Sequence, residues 1–324
     1  MPFAQADQTA LFRASSEDVD RQAELLRGWN QSYAQVSAGK FFGSVTEVAL
    51  GPARIFSEHT GQALMQSGEL PDDLIALGLP LSMPGPAVFC GMQDDCDALH
   101  VFSGGGGFEF LSPGAMTMAG LVVSRAALTP LLDQGGQILL GEKFATAHLA
   151  RVEAGAASAT RDFVRGVLHM AESSPELLEN RPIMATLASG LLSNVAALIS
   201  AYGEAPAEKT APARRWGVVS RARDYALSRP DAPTGIAELC EATGVSRRTL
   251  QNCFQEVLGM SPAQFLRATR LNGVRRMLRT APSVTEAAAH WGFWHFGHFA
   301  RDYCALFGEL PSQTHRRLNP RRPH

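Results

Sequence analysis

Residues 292–311 read GFWHFGHFARDYCALFGELP, and these twenty positions hold six aromatic side chains and two of the chain's nine histidines. Three chemistries compete for the stretch. His295 and His298, at i and i+3, have the spacing of metal ligands, with His290 or Cys304 as further donors. His298 beside Asp302 resembles a catalytic dyad, but no nucleophile or pocket signature accompanies it. In the third reading Phe293, Phe299, Tyr303 and Phe307 are the packing face of a helix, and Phe296, Gly297 and Arg301 remain outside. The residues before the stretch favour the third: Val284, Ala287 and Ala288 predict a short helix, and Gly292 provides the turn between the two.

The same pattern stands earlier in the chain. Ile236 to Glu241 predicts a short helix, Gly244 a turn and Ser246 the N-cap of a second helix from Arg247. Leu250, Phe254 and Leu258 recur at i, i+4 and i+8 and hold that helix to a core, leaving Arg247, Arg248, Gln251 and Asn252 on the opposite face. Arginine pairs with guanine edges and Gln or Asn with adenine edges, so this is chemically a base-reading face. A helix predicted from Pro262 to Arg279, with an apolar stripe of Phe265, Leu266, Leu271, Val274 and Leu278, joins the two units. Arg247, Arg270 and Arg275 are further candidates for phosphate contacts, with a solvated helix face as the alternative.

Charge divides the chain in the same place. From Ala211 to His324 there are 17 Arg, no Lys and 8 acidic residues; the remainder carries 12 basic and 23 acidic residues, and the net charge of −2 hides the contrast. A basic module suits a polyanion, and an all-Arg one suits bidentate contacts to phosphate and guanine. The segment 204–213, small, polar and interrupted by Pro206 and Pro212, reads as a linker. The expected organisation is therefore a domain over 1–203, a linker over 204–213 and a helical DNA-binding domain over 214–324.

Before the linker, β-prone runs over 42–50, 63–66, 74–79, 87–92, 99–102, 108–111 and 116–123, separated by Gly, Pro and Asp, predict an antiparallel sandwich or barrel. Helices are expected over 18–33, 124–132, 158–172 and 176–202, the last two as core helices or a dimer interface. The tetraglycine Gly104–Gly107 lacks the Gly-Lys-Ser/Thr of a phosphate loop and reads as a hairpin turn. Five cysteines without a CxxC pair support neither a disulfide framework nor a zinc ribbon. No apolar run is expected to span a membrane and the N-terminus lacks the parts of a signal peptide, so a cytoplasmic protein is expected.

The run from Gly244 to Pro311 resembles the DNA-binding domain of the AraC/XylS family of bacterial transcription regulators. Ser246, Leu250, Phe254, Gly259, Ser261-Pro262, Arg270-Leu271, Ala288, Gly292-Phe293, His298-Phe299, Arg301, Gly308 and Pro311 carry the resemblance, which with its flanks covers about a hundred residues. Asn252, His295, Gly297, Leu310 and Thr314 depart from it, standing where the family commonly has Arg, Ser, Ser, Ser and an aromatic residue. The resemblance implies an α+β chain: a β-rich, cupin-like sensory and dimerisation domain with long C-terminal helices, then an all-α domain of two helix-turn-helix units joined by a long helix. It implies duplex DNA read by Arg248, Gln251, Asn252, Phe296, Gly297 and Arg301, a small-molecule effector, a homodimer, and RNA polymerase as a partner if the protein activates. No cofactor, metal, catalysis or membrane partner is expected. Trp29, Tyr33, Phe56, Met65, Phe89, Phe108 and Phe110 are the candidates for lining an effector pocket, with ordinary core as their alternative. The rival from another class is a metal-dependent enzyme with a barrel site around His59 and His100, which no HxH pair or third ligand in the sequence supports.

Overall fold

The computed structural model describes residues 10–94, 98–103, 106–203, 211–229 and 234–319. Contacts divide the chain into two units, one within Met1–Tyr33, Phe42–Gly61 and Gln66–Glu208, the other within Ala34–Phe41, Gln62–Met65 and Lys209–His324.

The first unit is built on antiparallel sheets, although residues 34–35 of the second strand and 64–65 of the fifth are assigned to the second unit. In chain order the strands are β1 (Leu11–Ser16), β2 (Asn30–Gln35), β3 (Gly43–Leu50), β4 (Ala53–Thr60), β5 (Leu64–Glu69), β6 (Leu74–Ser82), β7 (Ala87–Phe89), β8 (Met92–Asp94), β9 (Leu99–Val101), β10 (Phe108–Leu111), β11 (Met116–Ser124), β12 (His148–Val152) and β13 (Tyr202–Gly203). One sheet has the order β1-β3-β4-β11-β6-β9-β12-β13 and the other β2-β5-β10-β7-β8. Helices α1 (Val19–Leu25), α2 (Arg125–Leu128), α3 (Gln134–Glu142), α4 (Ala154–Ser173) and α5 (Arg181–Ser200) complete it.

The central strand β11 buries both faces. Ala119, Leu121 and Val123 join the core formed with α3, α4 and α5, while Met116, Met118 and Val122 join a second core with Phe89, Phe108 and Phe110 of the smaller sheet. A strand covered on both faces reads as a continuous apolar run rather than an alternation.

Several expectations are corrected here. The helix expected over 18–33 ends at Leu25, because Gly28 turns the chain at φ 77° and Asn30–Gln35 continues as β2. Strands β1, β4 and β12 were not expected; β4, ARIFSEHT, mixes polar with apolar residues yet pairs along its length with β3 and β11. Arg181–Ser200 has the length and apolar composition of a membrane span, contrary to the sequence reading, and in the fold it places Leu191, Val195, Leu198 and Ile199 in the core. Of the tetraglycine and the linker, Gly104, Gly105 and residues 204–210 lie outside the described residues. Residues 211–213, read as linker, already belong to a helix.

The second unit carries α6 (Ala211–Leu227), α7 (Ile236–Thr243), α8 (Arg247–Leu258), α9 (Pro262–Met277), α10 (Val284–His290), α11 (Phe296–Phe307) and α12 (Pro311–Leu318). Helix α9 is shared by two clusters. Phe265 meets Phe254 of α8 with ring centroids 5.2 Å apart, and Leu271, Val274 and Leu278 pack on Ala287, Ala288, Phe299, Tyr303 and Phe307. Expected to reach Arg279, it ends two residues earlier, at Met277.

Candidate functional site

Helices α7–α8 and α10–α11 repeat one local geometry. Gly244 and Gly292 follow the first helix of each pair at φ 69° and 76°, a region where a side chain is strained. In both, the next amide reaches back five residues: Val245 N donates to Cys240 O at 3.2 Å and Phe293 N to Ala288 O at 2.9 Å. The second helix of each pair also stops at a left-handed glycine, Gly259 or Gly308. These choices are local in sequence, which is why the doubling is visible before folding is considered.

The second helices differ at their starts. Ser246 Oγ accepts from Thr249 N at 3.2 Å and caps α8. His295 occupies the N-cap of α11 without a side-chain bond, so the departure from serine removes a cap of about 1 kcal/mol.

Leu250, Cys253 and Phe254 are the buried face of α8, and Arg247, Arg248, Gln251 and Asn252 are exposed. Phe299, Tyr303 and Phe307 are the buried face of α11, while Phe296, Gly297 and Arg301 are exposed. Arg301 Nη2 donates to Nδ1 of His298 at 2.7 Å, so His298 orients the guanidinium on the outer face. Trp294, which the sequence reading did not single out, is 70% exposed in the turn before α11. Among the described residues no three His, Cys, Asp or Glu side chains gather in a metal-binding group.

Two of the weaker arginine candidates are held within the fold. Arg270 lies over the Phe293 ring at 5.8 Å, and burial, then Arg267, lowers its pKa. Arg275 is corrected outright: it is 4% exposed, lies 4.8 Å from the Phe307 ring centre and donates to Glu309 Oε1 at 2.9 Å, so it cannot meet phosphate. Glu309 also accepts from Arg317 at 2.9 Å and from Thr314 at 2.8 Å, and Thr314 in turn accepts from Tyr303 at 3.0 Å. Burial works to raise the Glu309 pKa, yet these partners hold it below the usual range. Thr314, the departure from an aromatic residue, is thus the hydroxyl that links Tyr303 to this carboxylate.

In the first unit, Trp29, Tyr33, Phe56, Phe108 and Phe110 line one cavity with Leu26, Gln31, Glu58, Gln66, Leu77, Phe102, Met116 and Met118, and its free space is about 20 Å³, room for about one water molecule. Met65 and Phe89 are buried but do not line it; Phe89 packs behind the wall, 4.9 Å from Phe102 between ring centres. Two glycines make room for the rings. A Cβ on Gly120 would stand 2.0 Å from the Phe56 ring, and one on Gly78 would stand 2.6 Å from the Phe102 ring. The register aligns Phe56, Gly120 and Gly78 in one row across β4, β11 and β6.

Sequence reasoning passed over Glu58, although its position two residues after Phe56 puts it on the same face of β4. Gln22 Nε2 donates to its Oε1 at 3.0 Å, and Tyr33 OH lies 3.2 and 3.1 Å from its two oxygens. Burial pushes the Glu58 carboxyl up to about 7, against the lowering effect of the Gln22 and Tyr33 bonds. Burial, then the charge of Glu58, raises the Tyr33 phenol.

His59 and His100 do not form the suggested metal site. His59 Nδ1 is 3.2 Å from Thr117 Oγ1, whereas the buried His100 ring packs on Phe89 and Phe110 and is pushed down to about 3 by burial.

Residues 239–317 match the family described as "Helix-turn-helix domain". The chain is 36% identical over 156 residues to the probable thc operon regulatory protein of Rhodococcus erythropolis, covering 46% of each chain. It is 37% identical over 83 residues to the XylDLEGF operon transcriptional activator of Pseudomonas putida, covering 24% of this chain and 26% of that one. The matches therefore span about half of the first relative and a quarter of the second. A crystal structure of a probable AraC family transcriptional regulator from Rhodopseudomonas palustris is 38% identical, covers 33% of this chain and 98% of that one, and superposes with a TM-score of 0.30. Two successive helix-turn-helix units over the matched residues identify the C-terminal domain of this chain as one of the AraC/XylS family.

Proposed function

We propose that the chain is a sequence-specific DNA-binding transcription regulator that responds to a small molecule held in the cavity of its first unit. The observation that carries the DNA-binding half is the outer face of α8. Arg248, Gln251 and Asn252 stand exposed on a helix whose other face is fixed by Leu250 and Phe254, the arrangement a recognition helix needs in the major groove. In the second helix-turn-helix Arg301, oriented by His298, reads bases with Phe296 and Gly297, and in the first Arg247 contacts phosphate. The ring-lined cavity with convergent polar groups supports the sensing half. A second copy of the chain pairs through α4 and α5, and RNA polymerase is a further partner if the protein activates.

A genome-wide map of the DNA occupied by the protein yields its cognate site. On that site Arg248→Ala or Gln251→Ala should cost about 1–3 kcal/mol and relax preference at one base position. An equal loss on random DNA would assign both side chains to phosphate and remove base reading by α8. The sensing half fails if a broad metabolite screen raises the melting temperature of the full chain with no compound.

A further inference from the structure

We infer that the start of α11 reads thymine by its 5-methyl group, with Phe296 as the contacting side chain and Trp294 extending the apolar surface; this rests on reading α11 as a base-contacting helix. Five consecutive residues, Trp294 to His298, are exposed where the turn enters that helix. Trp294, 70% exposed, is the most exposed large apolar side chain among the described residues, and Phe296 stands two positions later at 43%. The core calls on neither. Its rings run through Phe293, Phe299, Tyr303 and Phe307, with successive centres 5.1, 5.7 and 4.6 Å apart. Apolar residues scattered singly on a surface need no explanation, whereas a Trp and a Phe side by side form a patch with a use.

The outer faces of α8 and α11 differ in chemistry. Helix α8 offers Arg247, Arg248, Gln251 and Asn252, all hydrogen-bonding groups. Helix α11 offers a ring at its first position, Gly297, and Arg301, whose guanidinium donates to His298 at 2.7 Å. A Cβ added at Gly297 would meet nothing within 4 Å, so packing inside the protein does not demand the glycine. Its bare backbone lets a duplex come close beside Phe296. The major groove presents hydrogen-bonding atoms at every base pair and one apolar group, the thymine methyl, which an aromatic ring can cover. Continuity with Arg301 on the same helix, and the 17 Arg against 8 acidic residues from Ala211 to His324, favour DNA as the occupant of this patch.

Replacing each thymine of the cognate duplex in turn by deoxyuridine, and titrating each duplex with the full chain, removes one methyl at a time and no hydrogen-bonding group. At one or more positions affinity should fall about fourfold, the worth of one buried methyl. In Phe296→Ala or Trp294→Ala that dependence should vanish at those positions, while the base preference set by Arg248 persists. Both side chains are exposed, so neither variant loses core contacts; should one not fold, the other decides. A cognate site with no such position, or a methyl effect unchanged in both variants, overturns the inference and leaves DNA binding by α8 and α11 in place. Unaltered DNA binding by both variants overturns it too, and assigns the rings to a protein partner. A chain that prefers no duplex over random DNA takes the base-reading proposal down with it.

Discussion

Glu58 is an acid that the fold asks to be neutral. In the unfolded chain its carboxyl titrates near 4.5, and burial raises it to about 7 in the folded one. The folded state therefore holds this proton more tightly, and the stability so gained is fully present below about pH 4.5. It is lost as pH rises through 7, by about 3 kcal/mol. Glu58→Gln cannot ionise and escapes that loss. Urea denaturation of both proteins from pH 4 to pH 8 should show the variant gaining on the parent by about that amount. Parallel pH profiles would mean that water or a cation reaches the carboxylate in the unliganded protein.

Among the elements, α9 does most to define the second unit, and its Gly273 sits in mid-helix, where glycine costs about 1 kcal/mol relative to alanine. On propensity alone the residue would soften the helix. Its position explains it otherwise: a Cβ there would stand 2.3 Å from the indole of Trp291, the residue that follows α10. The glycine lets two helices approach, so Gly273→Ala should lower stability by about 1 kcal/mol or more despite the better helix former. A thermal melt showing the variant stabilised would mean that the indole swings away without loss. At the start of α8 and of α11 the same local accounting separates a capped helix from an uncapped one, because Ser246 bonds to its helix and His295 does not.

At the scale of the whole molecule, the arrangement of the two helix-turn-helix units on one helix matters most. The 16 residues of α9 span roughly 24 Å, and the offset of α8 and α11 from its ends should bring their separation near one turn of DNA, about 34 Å. One chain should then reach successive major grooves on one side of a duplex. Inserting about 5 bp between the two contacted segments turns them to opposite sides and should abolish most specific affinity. Footprinting of the altered site should show one segment protected; undiminished protection of both would show that the units bind independently.

The second unit was legible in the sequence because what specifies it is short-range. Left-handed glycines, a serine cap and apolar residues three and four apart are read within a dozen positions, and α7 to α11 lie within a few residues of where the pattern puts them. The first unit obeyed a rule that no window of sequence contains. Strand β4 is a strand because β3 and β11 flank it, and β11 is apolar from Met118 to Val123 because helices cover one face and a second sheet the other. Alternation then fails to say which rings face a cavity, so five of the seven named aromatic and Met candidates reached it while Phe89 went behind the wall and Met65 elsewhere. Glu58 and Arg275 make the same point with charge. Sequence assigns both to the surface by type, and only tertiary packing decides that Arg275 is buried against Glu309 while Glu58 is buried without a cation. Burial of a charge depends on partners distant in sequence, and those exist only once the chain has folded.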